Sequence, residues 1–308
     1  MITKHAASRV GDLHDAVGES PYWDAASGGF SWVDIPGQSI HQIFPDGDGW
    51  RSGPSVSTPG PVGVIVPRAA GGTLAGVGTT LYAVDADGGF SPFTTVETGT
   101  EGARFNDGKA DPAGRLLVSW MGEDSSGTWG ALCRVEPDGS VVTVLDGLGL
   151  PNGLDWSPDG RTFYFADTLA MAVDAFDYDI DSGGLSNRRR AITLEPGQGM
   201  PDGLTVDAEG NIWLAAIWSG QVRAYSPSGD VIAVVETPSL RPTSCAFGGS
   251  DLDTLFITSL DIAMPEFFAR IGGVPGEVVA ATGADPDAGG VFAARPGAIG
   301  KPPYAFAG

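Results

Sequence analysis

Short apolar runs divided by turn residues recur along the whole chain, and no stretch sustains the apolar spacing of a long amphipathic helix. Runs such as Thr162-Phe163-Tyr164-Phe165-Ala166 and Asn211-Ile212-Trp213-Leu214-Ala215-Ala216 alternate or are apolar throughout, and tight turns such as Pro158-Asp159-Gly160 bound them. They read as strands. The strands come in phrases: a Gly- or Asn-containing turn, an apolar strand, a turn, a second apolar strand, then a third. Copies begin near Gly18, Gly60, Arg104, Pro151, Pro201 and Arg241. Six units spaced by roughly 40 to 50 residues have the length of four-stranded propeller blades. The expected fold is therefore all-β: a single domain over residues 1–308, a six-bladed β-propeller with four-stranded antiparallel blades around a central channel.

An open radial array leaves an unpaired joint. The N-terminal segment around Val10 to Val17 is therefore expected to pair into the blade carrying Gly290-Val291-Phe292-Ala293-Ala294 and Tyr304-Ala305-Phe306, so that N- and C-terminal strands close the ring. One stretch breaks the rhythm. Residues 260–288 are longer than a turn between strands requires and mix apolar residues with Gly and Pro. They form either a lid over a pocket or a decoration of an outer edge.

The 47 Gly and 23 Pro punctuate the apolar runs instead of clustering, as many strands and many turns require. A net charge of −21, with no basic cluster beyond Arg188-Arg189-Arg190, would repel a phosphate backbone and excludes nucleic acid as a partner. No window reaches the roughly 18 apolar residues of a membrane span, and residues 1–9 lack a long apolar segment. The expectation is a soluble cytoplasmic protein without a membrane partner; its oligomeric state is open. Cys133 and Cys245 lie in apolar strand-like runs and are expected as buried thiols. His5, His14 and His41 all fall in or near the first unit, so no catalytic triad or histidine-rich zinc site can be assembled across blades. His41 is expected on a strand face.

What does repeat is a polar residue where several units enter their first strand, the strand that lines the channel of a propeller. These are Glu19 in GESP, Asn106 in RFND, Asn152 in PNGL and Asp202 in PDGL. Asn-Gly and Asp-Gly are also ordinary turn dipeptides, but their recurrence at one point of successive units, twice directly after proline, favours a shared site. Two carboxylates and two carboxamides aimed at one axis make an oxygen-rich cage suited to a divalent ion. Trp120, Met121, Ile217 and Trp218 end strands nearby, where they either fill the core or wall a pocket.

The motifs GESPYWD, RFNDGKADPAGR, PNGLDWSPDGRTFYFADT, PDGLTVDAEGNIWLA and RPTSCAFGG, in this order, resemble the senescence-marker-protein (regucalcin), gluconolactonase and luciferin-regenerating-enzyme family over nearly the whole chain. The resemblance implies metal ligands at Glu19, Asn152 and Asp202, and substrate contacts at Arg104, Asn106 and an acidic residue after the next strand. Either Glu123 or Asp124 can fill that last place. The cofactor implied is one divalent ion, Zn²⁺, Ca²⁺, Mn²⁺ or Mg²⁺, and the substrate a small lactone, foremost a sugar (aldono-) lactone. The expected chemistry is hydrolysis: the ion polarises the lactone carbonyl, Asp202 takes the proton of the attacking water as base, and Arg104 steadies developing negative charge. Two other readings stay open. One is metal-dependent hydrolysis of aryl or alkyl lactones or phosphotriesters; the other is a non-enzymatic propeller that binds calcium or a partner protein.

Overall fold

The computed structural model describes residues 2–85, 87–122, 130–261 and 285–308. Two short strands, β1 (Thr3–Ala6) and β2 (Ser8–Arg9), open the chain. The first blade follows as β3 (Gly18–Asp24), β4 (Gly29–Asp34), β5 (Ser39–Asp46) and β6 (Gly49–Ser52), with β7 (Val56–Ser57) also against β5. The second is β8 (Val62–Pro67), β9 (Thr73–Val77), β10 (Thr80–Val84) and β11 (Phe90–Thr95). The third is β12 (Arg104–Ala110), β13 (Leu116–Met121), β14 (Gly130–Val135) and β15 (Val141–Leu148). The fourth is β16 (Pro151–Trp156), β17 (Thr162–Asp167), β18 (Ala172–Asp179) and β19 (Gly184–Thr193). The fifth is β20 (Met200–Val206), β21 (Ile212–Ile217), β22 (Gln221–Tyr225) and β23 (Val231–Glu236). The sixth holds β24 (Pro242–Gly248), β25 (Thr254–Ser259) and β26 (Phe292–Ala294). Six small antiparallel sheets thus form a six-bladed β-propeller, and their inner strands begin within two residues of the six expected starts. Among the described residues there is no helix, and so none long and apolar enough to cross a membrane.

Local chemistry fixes the turns that return each inner strand. Asp111 accepts hydrogen bonds from the amides of Ala113 and Arg115 at 2.9 and 2.8 Å, and Asp207 does the same for Glu209 and Asn211 at 3.0 and 2.8 Å. Gly114 (φ 82°) and Gly210 (φ 91°) supply the left-handed residue these turns need. The core lies between blades: Phe105 of β12 packs with Val64, Leu74 and Leu81 of the second blade, and Cys133 and Cys245 are buried free thiols. Burial pushes the Cys245 thiol up to about 12.

At the joint of the ring, β2 pairs antiparallel with β26, Val10 donates to the Val291 carbonyl, and Asp15 donates to that of Gly289, each at 2.8 Å. Upstream, β1 adds a parallel edge to β23 of the fifth blade, a pairing the sequence does not suggest. Phe30 stacks on Phe256 across the joint at 4.3 Å, and each such fully buried ring contributes roughly 1.5–3 kcal/mol. Tyr304-Ala305-Phe306 does not lie in this blade. Phe306 bridges Arg68 of the second blade instead, because the chain leaves the sixth blade and crosses to the opposite side of the ring. His41 sits on β5 opposite Trp32, bonded to the hydroxyls of Ser39 and Ser55 at 3.0 and 2.8 Å, with the Asp15 carboxylate at 3.3 Å. All these partners belong to the first blade and its approach.

Candidate metal centre

Every inner strand slips register with its neighbour at one place: between Glu19 and Tyr22, Val62 and Val64, Phe105 and Gly108, Pro151 and Leu154, Pro201 and Leu204, and Pro242 and Cys245. A bulge re-aims the side chains it contains. Asn106, Asn152, Asp202 and Thr243 occupy the first place of their bulges, and Gly63 lies in that of the second blade. Glu19 stands one residue ahead of its bulge, next to Ser20, whose φ of 49° bends the strand. Asn152-Gly153 and Asp202-Gly203 are therefore strand residues, and the turn reading of these dipeptides falls.

Polar links run around the ring at this level. The Ser20 hydroxyl accepts from the Ile65 amide at 2.9 Å, and Asn106 Nδ2 donates to the Pro151 carbonyl at 2.7 Å and to Asn152 Oδ1 at 3.2 Å. Asn152 Nδ2 donates to Thr168 Oγ1 at 2.9 Å, and Thr168 in turn donates to the Pro201 carbonyl at 2.7 Å. Thr243 donates to the Gly18 carbonyl at 2.5 Å. Thr168 fixes which end of the Asn152 carboxamide is the oxygen end, an orienting partner of the kind metal ligands need. No feature of the sequence singled it out.

Glu19 and Asp202 are both buried, and both carboxyls are held well above the usual carboxylate range. For Glu19 the causes are burial, then the charges of Asp202 and Asp107, against which the Ser20 amide and Arg104 pull down. For Asp202 they are burial and the charge of Asp107, opposed by the Gly203 amide. Two buried acids raised in this way favour a positive charge placed between them. Among the described residues no three Asp, Glu, His or Cys side chains stand together as a metal cluster; the donor set that fits is two carboxylates with the Asn152 carboxamide. These residues would hold a hard divalent ion.

Arg104 opens β12 beside this cage, and its Nη1 donates to the Phe105 carbonyl and to Asn106 Oδ1, both at 2.9 Å. Asn106 thus joins Arg104 to Asn152. Glu123 and Asp124 lie outside the described residues, as do residues 262–284 of the long insertion. Ile217 and Trp218 pack with Met200 and Leu260, Trp120 packs against the core between the second and third blades, and Met121 is buried.

Asp107, which the sequence reading passed over although it follows Asn106, is a third buried acid of the channel. Burial raises its carboxyl to about 6, while Lys109 and the Gly108 amide pull the other way. Further along, Asp155, Lys109 and Lys301 form a second polar layer.

The strands approach so closely here that only glycine fits beside the ligands. A Cβ on Gly203 would fall 2.0 Å from Ser244 Oγ and 2.7 Å from its Cα, and one on Gly153 would fall 2.5 Å from the Asp202 carbonyl. Gly203→Ala is expected to cost about 3 kcal/mol, the upper range for overpacking, and to lower the melting temperature by several degrees. An unchanged melting curve would show that β20 and β24 can part without cost.

Residues 17–261 match the family described as SMP-30/gluconolactonase/LRE-like region. Regucalcin of Danio rerio is 39% identical over 301 residues, 95% of each chain. Among solved structures, a luciferin-regenerating enzyme superposes with a TM-score of 0.86 at 25% identity, covering 98% of this chain and 99% of the other. A calcium-binding protein, regucalcin from Agrobacterium tumefaciens, superposes with a TM-score of 0.85 at 26% identity, covering 99% of both. The chain belongs to the SMP-30/gluconolactonase/LRE-like family.

Proposed function

We propose that this protein is a divalent-metal-dependent hydrolase that opens a small lactone, with a sugar (aldono-) lactone as its substrate class. The observation that carries the reading is the convergence of Glu19, Asp202 and an oriented Asn152 at one level of the channel, with Arg104 alongside. Membership of a family named in part for gluconolactonase supports a lactonase-type reaction. When bound, the ion supplies Lewis acidity toward the lactone carbonyl and offsets the charge of the two acids.

The chain's own groups do the rest. Asp202, buried and beside a second acid, is the proton acceptor for the attacking water. Arg104 is assigned to the oxygen on which charge develops, and its bond to Asn106 fixes where its guanidinium lies. Asn106 and one of Glu123 or Asp124 are assigned to the substrate's ring hydroxyls.

Calcium binding without catalysis is the second reading, favoured by the description of the Agrobacterium relative as a calcium-binding protein. One experiment separates the two. The protein is stripped with chelator, Ca²⁺, Zn²⁺, Mn²⁺ or Mg²⁺ is restored in turn, and acid release is followed from aldonolactones, an aliphatic lactone, an aryl lactone and a phosphotriester. Metal-dependent opening of an aldonolactone is the expected result. Metal binding with no turnover on any substrate overturns the hydrolase reading and leaves the binding one; turnover confined to the aryl lactone or phosphotriester changes the substrate class.

A further inference from the structure

The chain's last residues cross the end of the channel beyond Asp155. The Ala208 amide donates to the Ile299 carbonyl at 2.9 Å, and the Gly300 amide donates to that of Leu252 at 2.8 Å, fastening the segment to the fifth and sixth blades. On the far side the Phe306 amide donates to the Pro67 carbonyl and the Ala307 amide to that of Gly114, both at 2.8 Å, in the second and third blades. The Phe306 ring is fully buried between those two blades. Between these anchors Lys301 reaches Asp155 on the fourth blade, 146 residues away in sequence, and its ammonium also lies 5.4 Å from the Tyr304 ring. The strap therefore touches five of the six blades.

Asp155 is a junction. It lies three residues beyond Asn152 on β16, and its Oδ2 accepts from the Val206 amide at 2.8 Å and the Thr205 hydroxyl at 3.2 Å, both on β20 beyond Asp202. Lys109 adds a third strand: its Nζ donates to the Leu204 carbonyl at 2.7 Å and stands 3.5 Å from Asp155. Burial opposes ionisation of Asp155, yet the two ammonium groups and the Val206 amide hold its carboxyl down at about 2. A cavity of about 60 Å³ is lined here by Asp107, Lys109, Asp155, Thr205, Ser244 and Lys301.

We infer that Lys301 is a positioning residue for the metal cage: it fixes the Asp155 carboxylate that ties β16 to β20, and so sets the distance between Asn152 and Asp202. The inference rests on the reading of Glu19, Asn152 and Asp202 as the metal site. A partner bonded directly to a ligand is worth tenfold or more in metal affinity; Lys301 acts one step further back, through Asp155 and the β16–β20 tie, from outside the blades.

The test is calorimetric titration of chelator-stripped protein with Ca²⁺ and with Mn²⁺. The proteins are the wild type, Lys301→Met, which keeps the aliphatic stem, Lys301→Arg, which keeps the charge, and Asp202→Asn. Lys301→Met is expected to bind metal several-fold more weakly than the wild type, short of the tenfold or more lost with a direct partner of a ligand, with Lys301→Arg recovering most of the loss. Affinity equal to wild type in Lys301→Met, while Asp202→Asn has lost it, overturns the inference and leaves the metal site standing. Wild type that binds neither of these ions, nor Zn²⁺ or Mg²⁺ in the same titration, or Asp202→Asn that binds as tightly, overturns both together. If Lys301→Met does not fold, Phe306→Leu decides instead: it loosens the strap away from the channel, and undiminished metal affinity in that variant overturns the inference.

Discussion

Asp202→Asn is expected to lower metal-dependent lactone hydrolysis by at least about 1,000-fold while leaving the chelated protein as stable as the wild type or more so. Asparagine has the same shape, retains an oxygen toward the Gly203 amide, and can no longer accept a proton or balance a cation. In the absence of metal the wild-type carboxyl is a liability: it is buried and repelled by neighbouring acids. Removing its charge relieves that repulsion. Function and apo stability therefore move in opposite directions, which no purely structural role for Asp202 would produce. Turnover within tenfold of wild type at saturating metal would remove Asp202 from the chemistry, and a large fall in melting temperature would recast it as a structural residue.

The two signals behind that prediction were unequally visible in the sequence. The six strand phrases read cleanly because each blade repeats one local pattern, so their starts near Gly18, Arg104 and Pro151 needed no long-range information. The ligand positions were legible because the bulge falls at one point of each inner strand, placing Asn106, Asn152 and Asp202 at its first residue and Glu19 one residue ahead; Thr243 fills the same first place in the sixth. Thr168 and Asp107 escaped because each lies beside an assigned residue and acts through a side-chain direction that spacing does not encode. Tyr304-Ala305-Phe306 looked like a last strand because it is apolar and follows the sixth repeat. Its backbone partners, through Phe306, are the Pro67 carbonyl and the Ala69 amide, which only the closed ring brings within reach. Lys301 and Asp155 meet for the same reason.

Metal removal is expected to make stability strongly dependent on pH. Glu19, Asp202 and Asp107 all have folded pKa values raised above their unfolded ones, so between the two values the native chain binds more protons than the unfolded chain. Stability of the chelated protein is therefore full in weak acid and is lost as pH rises. Asp107 alone, moved from 3.8 to about 6, accounts for roughly 3 kcal/mol of that loss by pH 8. Asp155 acts in the other direction: its depressed pKa contributes stability above pH 4 that disappears as pH falls toward 2. The two effects place the chelated protein's optimum near pH 4. A divalent ion takes over the role of the protons on Glu19 and Asp202, so it has little to add at pH 5 and much to add at pH 8. At roughly 2–4 °C per kcal/mol, the metal-induced rise in melting temperature at pH 8 should exceed that at pH 5 by several degrees or more. Melting curves of chelated and metal-loaded protein from pH 4 to 9 measure this directly. An equal rise at both pH values would mean that the ion binds away from the titrating acids, and the cage assigned to Glu19, Asn152 and Asp202 would have to be abandoned.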